Sequence, residues 1–126
     1  MLKIKYIKNQ DKKHYLAYEN EKGRFALKPD IVIDEGKIIV DTKWKILSEN
    51  KSNQGISQSD MYQLYAYGTK YENCEKLYLI YPKDEVERGN LYHYYEDKKL
   101  PLKILFFDLE NLENNEEIIN YLTGSL

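Results

Sequence analysis

The stretch "LKPDIVIDEGKIIVDTKWK", residues 27–45, decides how this chain is read. Two apolar, β-branched runs flank Asp34-Glu35-Gly36-Lys37, so the segment reads as a β-hairpin over residues 26–45. A tight turn at Glu35-Gly36 and a four-residue turn from Asp34 to Lys37 give the same register. Ile33 faces Ile38, Val32 faces Ile39, Ile31 faces Val40, and Asp30 faces Asp41. Side chains alternate along a strand, so Asp41, Lys43 and Lys45 emerge on the face that Asp30 shares. Near the turn both faces are apolar. At the open end one face carries two carboxylates and lysine.

Like charges set opposite each other destabilise a sheet. At about 5 Å the repulsion is roughly 3 kcal/mol for an effective dielectric near 20, and under ~1 kcal/mol in bulk water. On a central strand that cost needs an offset. Three are open: a shared proton, a neighbouring lysine, or a divalent cation held by carboxylate oxygens. The cation explains most, because Mg²⁺ between Asp30 and Asp41 can bind a phosphate oxygen and acidify a water. Lys43 can then orient that water or neutralise developing charge. The bland alternative is an exposed strand end with a Lys28–Asp41 ion pair, and spacing alone weighs the two equally.

Outward from the hairpin, Leu2, Ile4 and Tyr6 alternate with lysines as in an edge strand. Residues 14–20, "HYLAYEN", read as a strand ending at the turn Asn20-Glu21-Lys22-Gly23, and 48–55 as a polar loop. The period then changes. Met61, Leu64, Tyr65 and Gly68 recur at spacings of three and four, which predicts a helix starting near Gln58 with Ser57 and Asp60 as its capping box. Residues 76–82, "KLYLIYP", read as a buried strand. A charged loop over 83–90 leads to a second hairpin from "LYHYY" and "LKILFFDL", and an amphipathic helix spans about 113–122. Strands, helix, strands, helix predict an α/β fold, a mixed central β-sheet flanked by a helix on each side.

Composition excludes more than it selects. The 126 residues, 42% hydrophobic, fit one domain. No apolar run is long enough to span a bilayer, so no membrane partner is expected. One cysteine, Cys74, excludes an internal disulfide and suits a cytoplasmic setting. His14 and His93 lack the partners of a zinc site. Net charge is −2, so the chain as a whole is no basic nucleic-acid binder, although eight basic residues against three acids lie between Lys3 and Lys28.

The motifs in order carry a resemblance. "KPDIVI" followed by "IIVDTKWK" resembles the core of the PD-(D/E)XK nuclease superfamily, with Pro29-Asp30 matching the PD element and Asp41-Thr42-Lys43 matching (D/E)-X-K. In "SDMYQLYAYGTKY", Gln63 and Tyr67 match the QxxxY helix signature of RecB-like members. Together with "LYLIYP", these segments are similar to the C-terminal nuclease region of McrC, the cleavage subunit of the McrBC modification-dependent restriction system, over about 25–82.

The resemblance implies a restriction-endonuclease-like core and Mg²⁺-dependent cleavage of DNA, with Mn²⁺ as a substitute ion. It implies Asp30 and Asp41 as metal ligands, the Thr42 carbonyl as a third, and Lys43 as the catalytic lysine. Gln63 and Tyr67 would support the site, against the plainer reading of a boundary Gln and Tyr satisfying nearby backbone groups. Lys45 shares the face of Lys43, which leaves open a contact to the DNA backbone or a solvated lysine past the strand end. A McrB-like GTPase is the implied partner. It would be engaged by an N-terminal part that precedes residues 1–126, which read as a single nuclease domain. A helical glutamate that completes the superfamily's metal site would likewise lie upstream of Met1. Two other readings stay open: a non-catalytic DNA-docking or assembly module of the same fold, and a RecB-like nuclease of a phage or repair system.

Overall fold

The computed structural model describes residues 7–9, 14–48, 51–84, 89–97 and 100–124. In chain order the elements are β1 (Ile7–Asn9), β2 (His14–Glu19), β3 (Lys22–Leu27), β4 (Ile31–Ile33), β5 (Ile38–Thr42), α1 (Gln58–Lys70), β6 (Lys76–Pro82), β7 (Leu91–Tyr95), β8 (Leu100–Phe107) and α2 (Glu116–Thr123). The predicted edge strand at Leu2–Tyr6 lies outside the described residues, while β1 begins directly after it.

The central hairpin forms in the expected register, with Ile31 opposite Val40, Val32 opposite Ile39 and Ile33 opposite Ile38. Its turn is the four-residue form, a 3-10 turn in which Asp34, Glu35 and Gly36 all have positive φ. Gly36 is required twice over: its φ is +107°, and a Cβ there would stand 2.8 Å from the Tyr71 ring. The first strand is shorter than expected, however. Ala26 and Leu27 belong to β3 and pair with Tyr15 and His14 of β2, and the ladder to β5 starts only at Ile31. Pro29 contributes to this: it has no N–H to give a ladder. The chain therefore changes sheets at Lys28-Pro29-Asp30.

Among the described residues, six strands form the main sheet in the order β1-β4-β5-β6-β8-β7. The β5–β6 and β6–β8 pairs are parallel and the others antiparallel, so the sheet is mixed as predicted. Parallel β5 and β6 need a crossover, and α1 supplies it. Strand parity then sorts the core into two layers. Val32, Ile39, Leu77, Leu79, Tyr81, Leu102 and Ile104 pack toward α1. Ile33, Ile38, Val40, Tyr78, Ile80 and Leu105 pack toward α2 through its buried Ile118. A strand buried on both faces reads as an unbroken apolar run, which is why "KIIV" and "LYLIY" carry no alternation.

Helix α1 starts at Gln58 with the Ser57 hydroxyl accepting from the Asp60 N–H at 3.1 Å, as its capping sequence predicts. Its buried stripe is rotated from the predicted one. Asp60, Leu64, Tyr67 and Gly68 are buried, whereas Met61 and Tyr65 are only half-covered. Those two turn toward β7, where the Tyr95 hydroxyl donates to the Met61 carbonyl at 2.5 Å and its ring lies 5.1 Å from that of Tyr65. Helix α2 follows a 3-10 turn, Leu112–Asn115, that occupies the first part of the expected helix.

At Gly68 the α1 backbone comes close to the sheet: a Cβ there would lie 2.4 Å from Leu100 Cδ2 and 3.3 Å from Leu77 Cδ1. Gly68→Val should therefore overpack this contact and lower stability by about 2 kcal/mol in urea denaturation. An unchanged midpoint would show that α1 does not sit this close.

Candidate functional site

Strand β5 ends at Thr42 beside the end of parallel β6, with the Lys43 N–H donating to the Ile80 carbonyl at 2.9 Å. Open α/β sheets gather ligands at the carboxyl ends of parallel strands. Three residues of chemical interest stand there in sequence. Asp41 points into the α1 layer, where only 3% of its surface is exposed. Thr42 has the opposite parity, and Lys43 returns to the side of Asp41.

Asp30 lies one residue before β4, opposite Asp41. Its Oδ2 accepts from the Thr42 N–H at 2.8 Å and from the Thr42 hydroxyl at 2.7 Å. The Asp30 N–H in turn faces Asp41 Oδ1 at 3.4 Å. Both carboxylates add to the rise of the Tyr67 phenol's pKa. Burial is the largest cause at Tyr67, with Gln63 opposing, and the phenol stays protonated.

The Lys43 ammonium sits among acceptors. It lies 3.0 Å from Asp41 Oδ2, 2.6 Å from Gln63 Oε1 and 3.8 Å from Asp60 Oδ1. Lys45 reaches the same Asp60 carboxylate, 3.1 Å from Oδ2, which also accepts from the Tyr81 hydroxyl at 3.0 Å. Asp30, Asp41, Thr42, Lys43, Lys45, Gln63 and Tyr67 thus fall into one continuous polar cluster. Asp60 and Tyr81 complete it. Asp60 reads in the sequence as a helix-start acid, yet it precedes Leu64 by four residues and Tyr67 by seven, the spacing of the buried stripe. Tyr81 shares the parity of Leu77 and Leu79, and that parity aims it at α1.

The electrostatics follow from burial. Burial pushes Asp41 up from its ordinary 3.8 to about 6, with Lys43 opposing and the nearby Asp30 adding to the rise. At Asp60 burial also raises, but Lys45, Tyr81 and Lys43 outweigh it, and the group is held below the usual carboxylate range.

Among the described residues no group of three or more His, Cys, Asp or Glu side chains is arranged to hold a metal ion. A cation here would rest on the two carboxylates Asp30 and Asp41. Their donor chemistry suits a hard ion: the carboxylates of two residues set opposite each other at one strand end, with the Asp30 N–H 3.4 Å from Asp41 Oδ1 and Asp41 pushed up by burial. Mg²⁺ binds through one or two carboxylates and keeps several waters, so the residues fit it.

Among the described residues a mixed sheet carries one helix on each face, with Asp41 and Lys43 at the carboxyl end of a strand parallel to β6 and Asp30 just before the antiparallel neighbour β4. This is an α/β domain consistent with a nuclease-like core. The family model for the McrBC 5-methylcytosine restriction system component matches residues 2–82, and the chain belongs to that family. No curated protein sequence matches it. Among solved structures it is similar to a chain of the refined half-complex from the tetradecameric assembly of Thermococcus gammatolerans McrB AAA+ hexamers with bound McrC. That match has a TM-score of 0.59 and 14% identity and covers 82% of this chain and 23% of the other, so it bears on the fold alone. Among the described residues no helix is long and apolar enough to cross a membrane.

The raised Asp41 pKa sets a pH dependence in chelator. The folded state keeps the Asp41 proton up to about pH 6, whereas the unfolded state releases it near 3.8. Between those values the folded state binds more protons, so this group's contribution to stability falls as pH rises. Urea denaturation from pH 4 to 7 should show wild type losing stability relative to Asp41→Asn across that window. Parallel curves would mean that Asp41 is not buried as described.

Proposed function

We propose that this chain is the Mg²⁺-dependent DNA endonuclease domain of a McrC-like restriction subunit, built on a PD-(D/E)XK core. The observation that carries the reading is the Lys43 ammonium, 3.0 Å from Asp41 and fixed by Gln63, beside a second carboxylate on the neighbouring strand's end. Membership of the McrBC family supports it.

In this reading Asp30, Asp41 and the Thr42 carbonyl hold Mg²⁺, with Mn²⁺ as a substitute. Bound there, the ion supplies Lewis acidity toward a phosphate oxygen and lowers the pKa of a water. The remaining work belongs to the chain. Thr42 fixes the Asp30 carboxylate through two hydrogen bonds, so that oxygen enters the site already oriented. Lys43 presents a compact positive charge where negative charge develops on the phosphoryl group, and it orients the attacking water. Gln63 holds Lys43 at 2.6 Å, one helical turn before Tyr67. Lys45, with its head half-exposed, is the residue for the DNA backbone.

A McrB-like GTPase is the proposed partner. The similar chain comes from an assembly of McrB hexamers with bound McrC. A net charge of −2 leaves this chain little counterion release of its own on a polyanion. A partner that recognises modified DNA and delivers it supplies that affinity instead.

The test pairs binding with turnover. Mg²⁺ should raise the thermal midpoint of wild type but not of Asp41→Ala. Plasmid nicking, assayed with a McrB-like partner and Mg²⁺, should fall on the order of 10²–10³-fold in Lys43→Ala. Nicking that survives the lysine change would remove Lys43 from its role, and a chain that Mg²⁺ never stabilises would remove the metal.

A further inference from the structure

Lys43 cannot serve Asp41 in the same way with and without a cation. Asp41 Oδ2, 3.0 Å from the lysine ammonium, is an oxygen that a bound cation needs. A divalent ion arriving there competes for the lone pairs and repels the ammonium. Lys43 then needs another anionic acceptor within reach, or it remains a competing counter-ion.

We propose that Asp60 is a positioning residue that receives the Lys43 ammonium when a cation takes Asp41. The inference rests on the metal reading above and adds a role for a residue outside its ligand set. Asp60 Oδ1 lies 3.8 Å from Lys43 Nζ, about 1 Å beyond a charge-assisted hydrogen bond. The other oxygen, Oδ2, is occupied by Lys45 at 3.1 Å and the Tyr81 hydroxyl at 3.0 Å. Those two partners fix the carboxylate and leave Oδ1 turned to Lys43. The backbone is fixed as well, in the first turn of α1 under the Ser57 cap. Gln63 bonds Lys43 at 2.6 Å and serves as the pivot, so the ammonium moves from one carboxylate to the other without losing that neutral partner. A helix-start acid needed only for the helix dipole would be exposed; Asp60 is buried.

The test is Mg²⁺ binding to the 126-residue chain by calorimetry, without DNA, in four forms: wild type, Asp60→Asn, Lys43→Met and the double variant. Asp60→Asn should weaken Mg²⁺ binding about tenfold in the presence of Lys43, the scale of one hydrogen bond to a charged group. In the Lys43→Met background the same change should cost no more than about twofold, because no ammonium is left to relocate. Equal losses in both backgrounds would mean that Asp60 acts only through its charge, and would overturn the proposal. A second measurement needs no variant: the Asp60 carboxyl carbon and the Lys43 side-chain resonances should shift together as Mg²⁺ is added. An Asp60 signal that ignores saturating Mg²⁺ would overturn the proposal even if Asp60→Asn fails to fold. Absence of Mg²⁺ binding by every form, Lys43→Met included, would instead sink the metal site itself, and this role with it.

Discussion

A carboxylate buried at the end of a central strand is the constraint around which this domain is arranged. Asp41 is 3% exposed and lies on β5, which is hydrogen-bonded on both sides by β4 and β6. A lone ionised carboxylate in that position would cost several kcal/mol in lost hydration. The compensation starts with Lys43, two residues on and on the same face. A lysine drawn inward needs acceptors for its other donors, and Gln63 and Asp60 provide them from α1. Asp60 then needs Lys45 and Tyr81. Each buried polar group recruits the next until the chain of bonds reaches solvent at Lys45.

This network explains the rotation of α1. A helix placed by its apolar residues alone would bury Met61, Leu64, Tyr65 and Gly68. The observed stripe keeps Leu64 and Gly68 over the sheet but brings Asp60 and Tyr67 inward, to where the strand end is polar. The two faces of the sheet thereby diverge. The α2 side is apolar along the strands, closed by Ile118 over Val40, Ile80 and Leu105. The α1 side is apolar over most of its length and ionic at the carboxyl end of β5. Pro29 has a part here too. By ending the ladder before Asp30 it leaves the Thr42 N–H without a strand partner, and the Asp30 carboxylate fills that vacancy.

What was legible in the sequence was whatever local geometry controls. The Asp34–Lys37 turn set the register of the hairpin, and the register set Asp30 opposite Asp41. The Ser57 cap fixed where α1 begins, and unbroken apolar runs marked β5 and β6 as covered on both faces. What stayed hidden depends on three-dimensional competition. Ala26 and Leu27 look like a continuation of the hairpin, because nothing local says that β2 is the stronger claimant once Pro29 interrupts the ladder. Asp60 looked like an ordinary first-turn acid, since its burial arises from Lys45 and Tyr81, residues fifteen and twenty-one positions away. Helical periodicity counts apolar positions, so it cannot find a stripe that is partly polar by necessity.

Charge counting at the strand end orders the events of the proposed chemistry. Three acids, Asp30, Asp41 and Asp60, face two lysines, Lys43 and Lys45, so the cluster is net −1 when Asp41 is ionised. A phosphodiester approaching it meets repulsion, and the low dielectric around Asp41 makes that repulsion longer-ranged than at an open surface. One divalent cation reverses the sign to +1. In the proposed chemistry an ion that drew Lys43 away from Asp41 would therefore turn a site that repels a phosphodiester into one that attracts it. In that proposal the charge balance favours ion binding ahead of DNA, and a partner delivering DNA would meet a site of positive sign.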